Sequence, residues 1–257
     1  MQLTERIGRG LAYYLNQPSK RGRQVASCTP EQLLTTLRKG DVLLVEGSSR
    51  FSVAVKYLSQ STWSHAALYI SDSPSSPDSQ TDKGELLEAD VLGGVRVIPL
   101  SEYSLLHTRI CRPIGLTNDE INSVVATAVS RVGHQYDLKN IFDLARYLIQ
   151  TPPAPSRWRR RMLALGSGDP TRAICSSLIA EAFQSIKYPI LPDSIIAKSK
   201  DLNCSDCYNE FLHIRHSSLF APRDFDISPY FQIIKPTLDA GFDPHTLNWG
   251  DEEDNQN

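Results

Sequence analysis

The sequence predicts an α+β domain whose strands and helices are largely segregated along the chain. Two observations carry this. Short apolar runs over 42–46, 65–70, 86–89, 95–98 and 107–112 follow one another closely, which favours an antiparallel sheet or small barrel. The helical periodicities fall mainly before and after that block, so the chain does not alternate strand and helix as a parallel α/β fold does.

Each element has a local reason. Residues 1–20 place Leu3, Ile7, Leu11, Tyr14 and Leu15 among basic residues, an amphipathic helix that docks on the core or lies at a membrane surface. Pro30 to Leu37 reads as a short helix. Gly40-Asp41 opens the buried strand Val42–Glu46, and Val53, Ala54, Tyr57 and Leu58 recur at helical spacing. In the strand Trp63–Ile70, alternation sets His65, Ala67 and Tyr69 on one face and Ala66, Leu68 and Ile70 on the other. Residues 71–84 are a Ser, Pro, Asp and Gly-rich loop. Leu86–Ala89 carries Glu88, and Gly93-Gly94 turns the chain so that Val95–Leu100 pairs back. Asp119–Val132 is an amphipathic helix stopped by Gly133. A further helix covers Ile141, Leu144, Ala145 and Leu148, and Thr151-Pro152-Pro153-Ala154-Pro155 makes a stiff break. A buried helix runs from about 175 to 187. Residues 194–199 and 208–212 are ambiguous, 214–221 and 231–234 are extended, and the acidic 250–257 is a disordered tail.

Composition bounds the function. Of 257 residues, 40% are hydrophobic and 22% charged, as in a soluble globular protein with a sizeable core. Lys and Arg total 27 against 29 Asp and Glu, a net charge of −2, which gives no electrostatic case for nucleic acid. No apolar run reaches the roughly 20 residues that span a bilayer. The N-terminal residues contain no secretory apolar region, and five cysteines without an export signal suit a reducing, cytoplasmic setting.

The chemistry-bearing stretch is Ile174-Cys175-Ser176-Ser177-Leu178. A thiol at a helix N-terminus feels the positive end of the macrodipole, which favours the nucleophilic thiolate. First-turn N–H groups lack helical partners and suit an oxyanion. A thiol hydrolase also needs an imidazole and a group to orient it. His65 and Glu88 supply the residue types, on neighbouring strands and with compatible parity.

Gly40-Asp41-Val42-Leu43-Leu44, Trp63-Ser64-His65-Ala66-Ala67-Leu68-Tyr69, Leu87-Glu88-Ala89, Tyr136-Asp137 and Ile174-Cys175-Ser176-Ser177-Leu178, in that order, resemble the YiiX/YebB-like branch of the circularly permuted NlpC-type papain-like cysteine hydrolases. The likeness extends to Phe220–Phe225 and Ser228–Phe231. It implies a papain-like domain over 36–236, a helical extension over 1–35 and a tail over 237–257. It also implies a small antiparallel barrel packed on the helix that bears the nucleophile. By motif position Cys175 is the nucleophile, His65 the base, Glu88 the orienting group and Tyr136 a substrate-lining tyrosine. Trp63 and His216 are further candidate substrate contacts. The resemblance implies hydrolysis of an amide bond in a peptide or lipid-linked substrate through a thioester, with no cofactor. The alternatives are a thiol acyltransferase of the lecithin retinol acyltransferase type and a non-catalytic lipid- or peptide-binding domain at a membrane surface.

Two other clusters carry readings of their own. Cys204, Cys207, His213 and His216 are zinc-type ligands, although the five residues between the pairs are fewer than a zinc finger uses. Arg157, Trp158, Arg159, Arg160 and Arg161 form either a solvated loop face or a peripheral contact with anionic lipid.

Overall fold

The computed structural model describes Gln17 and residues 26–72, 84–90, 93–134, 174–198, 208–213 and 216–246. The expected N-terminal helix apart from Gln17, most of the 71–84 loop, the 141–148 helix, the proline-rich break, the basic cluster, Tyr136, Cys204, Cys207 and the acidic tail lie outside the described residues.

The chain opens with α1 (Pro30–Thr36), β1 (Val42–Val45), α2 (Arg50–Ser59), β2 (His65–Tyr69), β3 (Glu85–Asp90) and β4 (Gly94–Pro99). After a 3-10 turn over Leu100–Glu102 come β5 (Thr108–Pro113), α3 (Asn118–Val129), α4 (Ile174–Ser185), β6 (Asp193–Lys198) and β7 (Tyr208–His213). The last part holds a 3-10 turn over Ser217–Leu219, then α5 (Pro222–Asp226), β8 (Phe231–Ile234) and α6 (Pro236–Asp239).

The main sheet is six-stranded and antiparallel, in the order β4-β3-β2-β1-β5-β8. It is open, which corrects the expected barrel. A barrel fills its interior with its own inward side chains. Here each face of the sheet is covered separately, so both are buried without closure. On the first face, Val42, Leu44, Ala66, Leu68, Leu87 and Ala89 pack with Val124, Val125 and Ala128 of α3 and Leu178, Ile179, Ala182 and Phe183 of α4. On the second, Leu43, Val45, Ala67, Tyr69, Leu86 and Ile98 pack with Leu33 of α1, Leu37 and Leu100. The alternation read across 66–69 is thus the division between two cores. Each fully buried aliphatic or aromatic side chain there is worth about 1.5–3 kcal/mol.

Capping fixes where helices begin. Thr29 accepts from the Gln32 N–H while the Gln32 side chain accepts from the Thr29 N–H, and Thr117 with Glu120 does the same for α3. Leu33 of α1 belongs to the second core. Gly40 has φ +88°, and a β-carbon there would stand 2.9 Å from the Ile121 side chain, so the turn into β1 requires glycine. The ambiguous segments form the two-stranded sheet β6–β7. The stretch expected to be extended over 214–221 contains the 3-10 turn instead. Among the described residues no helix is long and apolar enough to cross a membrane.

Candidate active site

Cys175 is the second residue of α4 and is 5% exposed. The apolar face of α4 seats the helix on the first face of the sheet. Ser176 pins its start by donating from Oγ to the Phe220 carbonyl at 2.8 Å. The Cys175 sulfur lies in hydrogen-bond contact with the His65 ring and receives the backbone N–H groups of Ala66 and Ser176. The thiol therefore meets β2 at its first residue, where the strand begins.

His65 Nε2 is 2.7 Å from Glu88 Oε2. With Nε2 engaged there, Nδ1 is the nitrogen left for the thiol. The contact follows from register. Leu68 pairs with Leu87 and Tyr69 with Leu86, and one step further Glu88 faces Ala67, with His65 as its diagonal neighbour on the same face. Glu88 is 1% exposed. Arg96, its cross-strand partner on β4, reaches Glu88 Oε1 from Nε at 2.9 Å and Nη2 at 2.8 Å. The Tyr103 hydroxyl donates to Oε2 through a short hydrogen bond. Its ring stands against His65 with centroids 5.6 Å apart.

The electrostatics follow from these contacts. Burial works against the charged forms of both His65 and Cys175. The mutual attraction of imidazolium and thiolate outweighs it, with help from Glu88 on one side and from the Ala66 and Ser176 N–H groups on the other. The His65 pKa is raised and that of Cys175 lowered, so the pair favours the ionised state. Burial also disfavours the Glu88 carboxylate, but His65, Tyr103 and Arg96 outweigh it and hold the group down to about 2. Burial and the Glu88 charge push Tyr103 up, so its hydroxyl stays a donor. The resulting cluster alternates two positive and two negative groups, the arrangement that makes buried charge tolerable. Cys175 stands apart from the other cysteines among the described residues: burial pushes Cys28 and Cys111 up.

Three of the residues singled out in the sequence thus come together: Cys175, His65 and Glu88. Trp63 belongs to the same buried core as Cys175 and has polar contacts of its own. It is 2% exposed, donates from Nε1 to Asp226 Oδ2 at 3.0 Å and carries the Arg109 guanidinium over its ring at 4.9 Å. It lines a cleft of about 640 Å³ together with Lys56, Arg109, Arg223 and Asp226. His216 is exposed beside the 3-10 turn that leads to Phe220. Of the zinc-type residues, His213 ends β7. Arg96 and Tyr103 were not singled out. A two-residue turn at Gly93-Gly94 would set residue 88 against 99; the observed register puts Asp90 opposite Gly94 and so Glu88 opposite Arg96, which the sequence reading did not give. Tyr103 follows a 3-10 turn and left no periodic signal.

Comparison with known proteins agrees with the YiiX-like, permuted papain-like part of the resemblance. Residues 36–147 match the model of the permuted papain-like amidase enzymes, YaeF/YiiX, C92 family. That span holds His65, Glu88, Arg96 and Tyr103 and ends before Cys175. No curated protein matches the sequence. Among solved structures the chain is similar to metalloprotein yiiX from Escherichia coli O157:H7. The identity is 15%, the coverage 77% of this chain and 96% of that one, and the TM-score 0.44.

Proposed function

We propose that this chain, whose residues 36–147 match the permuted papain-like amidases of the YaeF/YiiX, C92 family, hydrolyses an amide bond in a peptide or lipid-linked substrate, with Cys175 as nucleophile. The observation that carries the reading is the chain of contacts from the Cys175 sulfur to the His65 ring and from His65 Nε2 to Glu88 at 2.7 Å. A thiolate paired with an imidazolium is ready for attack without a separate deprotonation.

The steps follow from the groups present. The Cys175 thiolate forms a C–S bond to the carbonyl carbon, and the carbonyl π pair moves to oxygen. N–H groups of the first turn of α4 face that oxyanion. His65 gives its Nδ1 proton to the amide nitrogen, the C–N bond breaks, and the amine leaves a thioester on Cys175. His65, now neutral, takes a proton from water as it attacks the thioester. The C–S bond then breaks, the acid departs, and the thiolate–imidazolium pair returns. Glu88 keeps the ring oriented through both proton transfers.

The first test needs no knowledge of the substrate. Iodoacetamide at neutral pH should label Cys175 faster than Cys28 or Cys111, read peptide by peptide by mass spectrometry. Equal labelling rates would sink the nucleophile reading. A panel of amide and acyl-ester substrates, run with wild type and Cys175→Ala, then identifies the carbonyl. Product formation that persists in Cys175→Ala would exclude the thioester route. Transfer to an added alcohol in place of water would reassign the reaction to acyl transfer.

A further inference from the structure

We propose that Tyr103 and Arg96 are positioning residues that hold the Glu88 carboxylate turned toward His65 and so set the acid edge of the pH range in which Cys175 is reactive. The proposal rests on the reading of Cys175 as nucleophile.

The geometry assigns each oxygen of Glu88 a separate duty. Arg96 holds Oε1 from two nitrogens, at 2.9 and 2.8 Å. Both contacts fall on the one oxygen and are charge-assisted, so they anchor Oε1 firmly. Oε2 is left to face His65 at 2.7 Å and to accept from the Tyr103 hydroxyl. Glu88 is buried, so water cannot replace a lost donor cheaply. The groups that face Glu88 are His65 from β2, Arg96 from β4 and Tyr103 after the 3-10 turn, while Cys175 from α4 acts on His65 and Tyr103. Asp90, on β3 itself, acts on Arg96. Tyr103 also packs its ring against His65, so one side chain braces both members of the His–Glu pair.

The sign of the effect follows from burial. Burial is the largest influence on Glu88 and favours the protonated carboxyl; the donors oppose it. Removing one donor moves the Glu88 pKa up from about 2 toward the mildly acid range. A protonated Glu88 no longer supplies a counter-charge to the His65 imidazolium. The thiolate–imidazolium pair then collapses to the neutral pair at a higher pH than in wild type.

The experiment measures the rate of Cys175 alkylation by iodoacetamide from pH 4 to 9 in the full chain. It compares wild type with Tyr103→Phe, Arg96→Gln and Arg96→Lys, and takes thermal melts to confirm folding. In Tyr103→Phe and Arg96→Gln the acid limb should move toward neutral by on the order of one pH unit, about a tenfold lower rate at a pH within the limb. Arg96→Lys, which keeps the charge, should recover most of the shift. A purely structural role would lower the melting temperature and leave the limb in place; that result in both variants would overturn the proposal. If Arg96→Gln does not fold, Tyr103→Phe, which deletes one oxygen, decides alone. A wild-type Cys175 that titrates as an ordinary thiol would remove the nucleophile reading and this proposal with it. A wild type with a depressed limb and unshifted variants would remove this proposal only.

Discussion

Among the described residues two histidine–glutamate pairs stand at the same end of the sheet, and they behave differently. Val45 pairs with His65 on one side and with Thr108 on the other. Glu46, beside β1, therefore lies one strand from the start of β2, and His107, beside β5, two strands from it. His107 Nδ1 is 3.0 Å from Glu46 Oε2, and Lys56 reaches the other oxygen at 2.8 Å. By distance alone this pair resembles His65 with Glu88. The surroundings differ. Glu46 is 26% and His107 37% exposed, against 1% for Glu88 and 19% for His65. Burial works against the Glu46 charge, and Lys56 and His107 hold that carboxyl below its ordinary value all the same. Its partners are a lysine and an imidazole, while His65 stands between a carboxylate and a thiol. A histidine on a carboxylate is thus commonplace; burial and the sulfur on the other nitrogen distinguish the first pair.

The largest expected difference between the pairs is in turnover. In the proposed mechanism His65→Ala removes the proton shuttle and the counter-ion of the thiolate, and should lower the rate by about 10²–10⁴. His107→Ala should leave it within about twofold, since a surface change away from the site does little. Assayed side by side on one substrate, comparable losses in the two variants would erase the distinction. Stability should separate the glutamates as well. Glu88→Ala strands Arg96, His65 and the Tyr103 hydroxyl, and breaking such a buried network costs about 3–5 kcal/mol. Glu46→Ala breaks a half-exposed pair worth about 0–1 kcal/mol. Urea midpoints at neutral pH measure both.

Much of this contrast was legible in the sequence, and the remainder depended on burial. The order of His65, Glu88 and Cys175 along the chain was readable. So was the parity that makes Glu88 a diagonal neighbour of His65, because a strand has a period of two. What the pattern could not separate was Glu88 from Glu46. Each is a lone carboxylate at or beside an apolar strand, and which one is covered depends on the packing around β3 and on Tyr103, which follows an irregular turn. The expected barrel gives way to an open sheet for a related reason. Closely spaced antiparallel strands fit either an open or a closed sheet, and only the separate covering of its two faces by α1 and by α3 with α4 decides. The indole nitrogen of Trp63, a candidate substrate contact, is directed to Asp226 on α5, more than a hundred residues away, which no sequence spacing announces.

Acid stability offers a smaller test with a definite sign. The Glu88 pKa lies near 2 against an ordinary 4.5. Its contribution to stability is therefore complete above pH 4.5 and is lost as the pH falls toward 2. Glu46 is shifted in the same direction, but its greater exposure screens the effect. Glu88→Gln should flatten the fall in melting temperature between pH 4.5 and 2 more than Glu46→Gln does. An equal flattening would mean that the two carboxylates share one environment.

The smallest effect concerns the cleft beside the second pair. Trp63→Phe keeps an aromatic ring under Arg109 but deletes the indole N–H that reaches Asp226 Oδ2 at 3.0 Å. Asp226 retains Arg109, whose Nη1 lies 2.6 Å from Oδ1, so the loss should be about 1 kcal/mol, the net worth of one ordinary hydrogen bond. Because Trp63 is committed to this cluster and not to the thiol, the alkylation rate of Cys175 and its pH limb should not move. A raised KM with an unchanged melting temperature would make Trp63 a substrate contact, and the 640 Å³ cleft would then extend the site of Cys175. A lowered melting temperature with unchanged KM would leave the two regions chemically independent, one reactive and one structural, joined only by the strands that end between them.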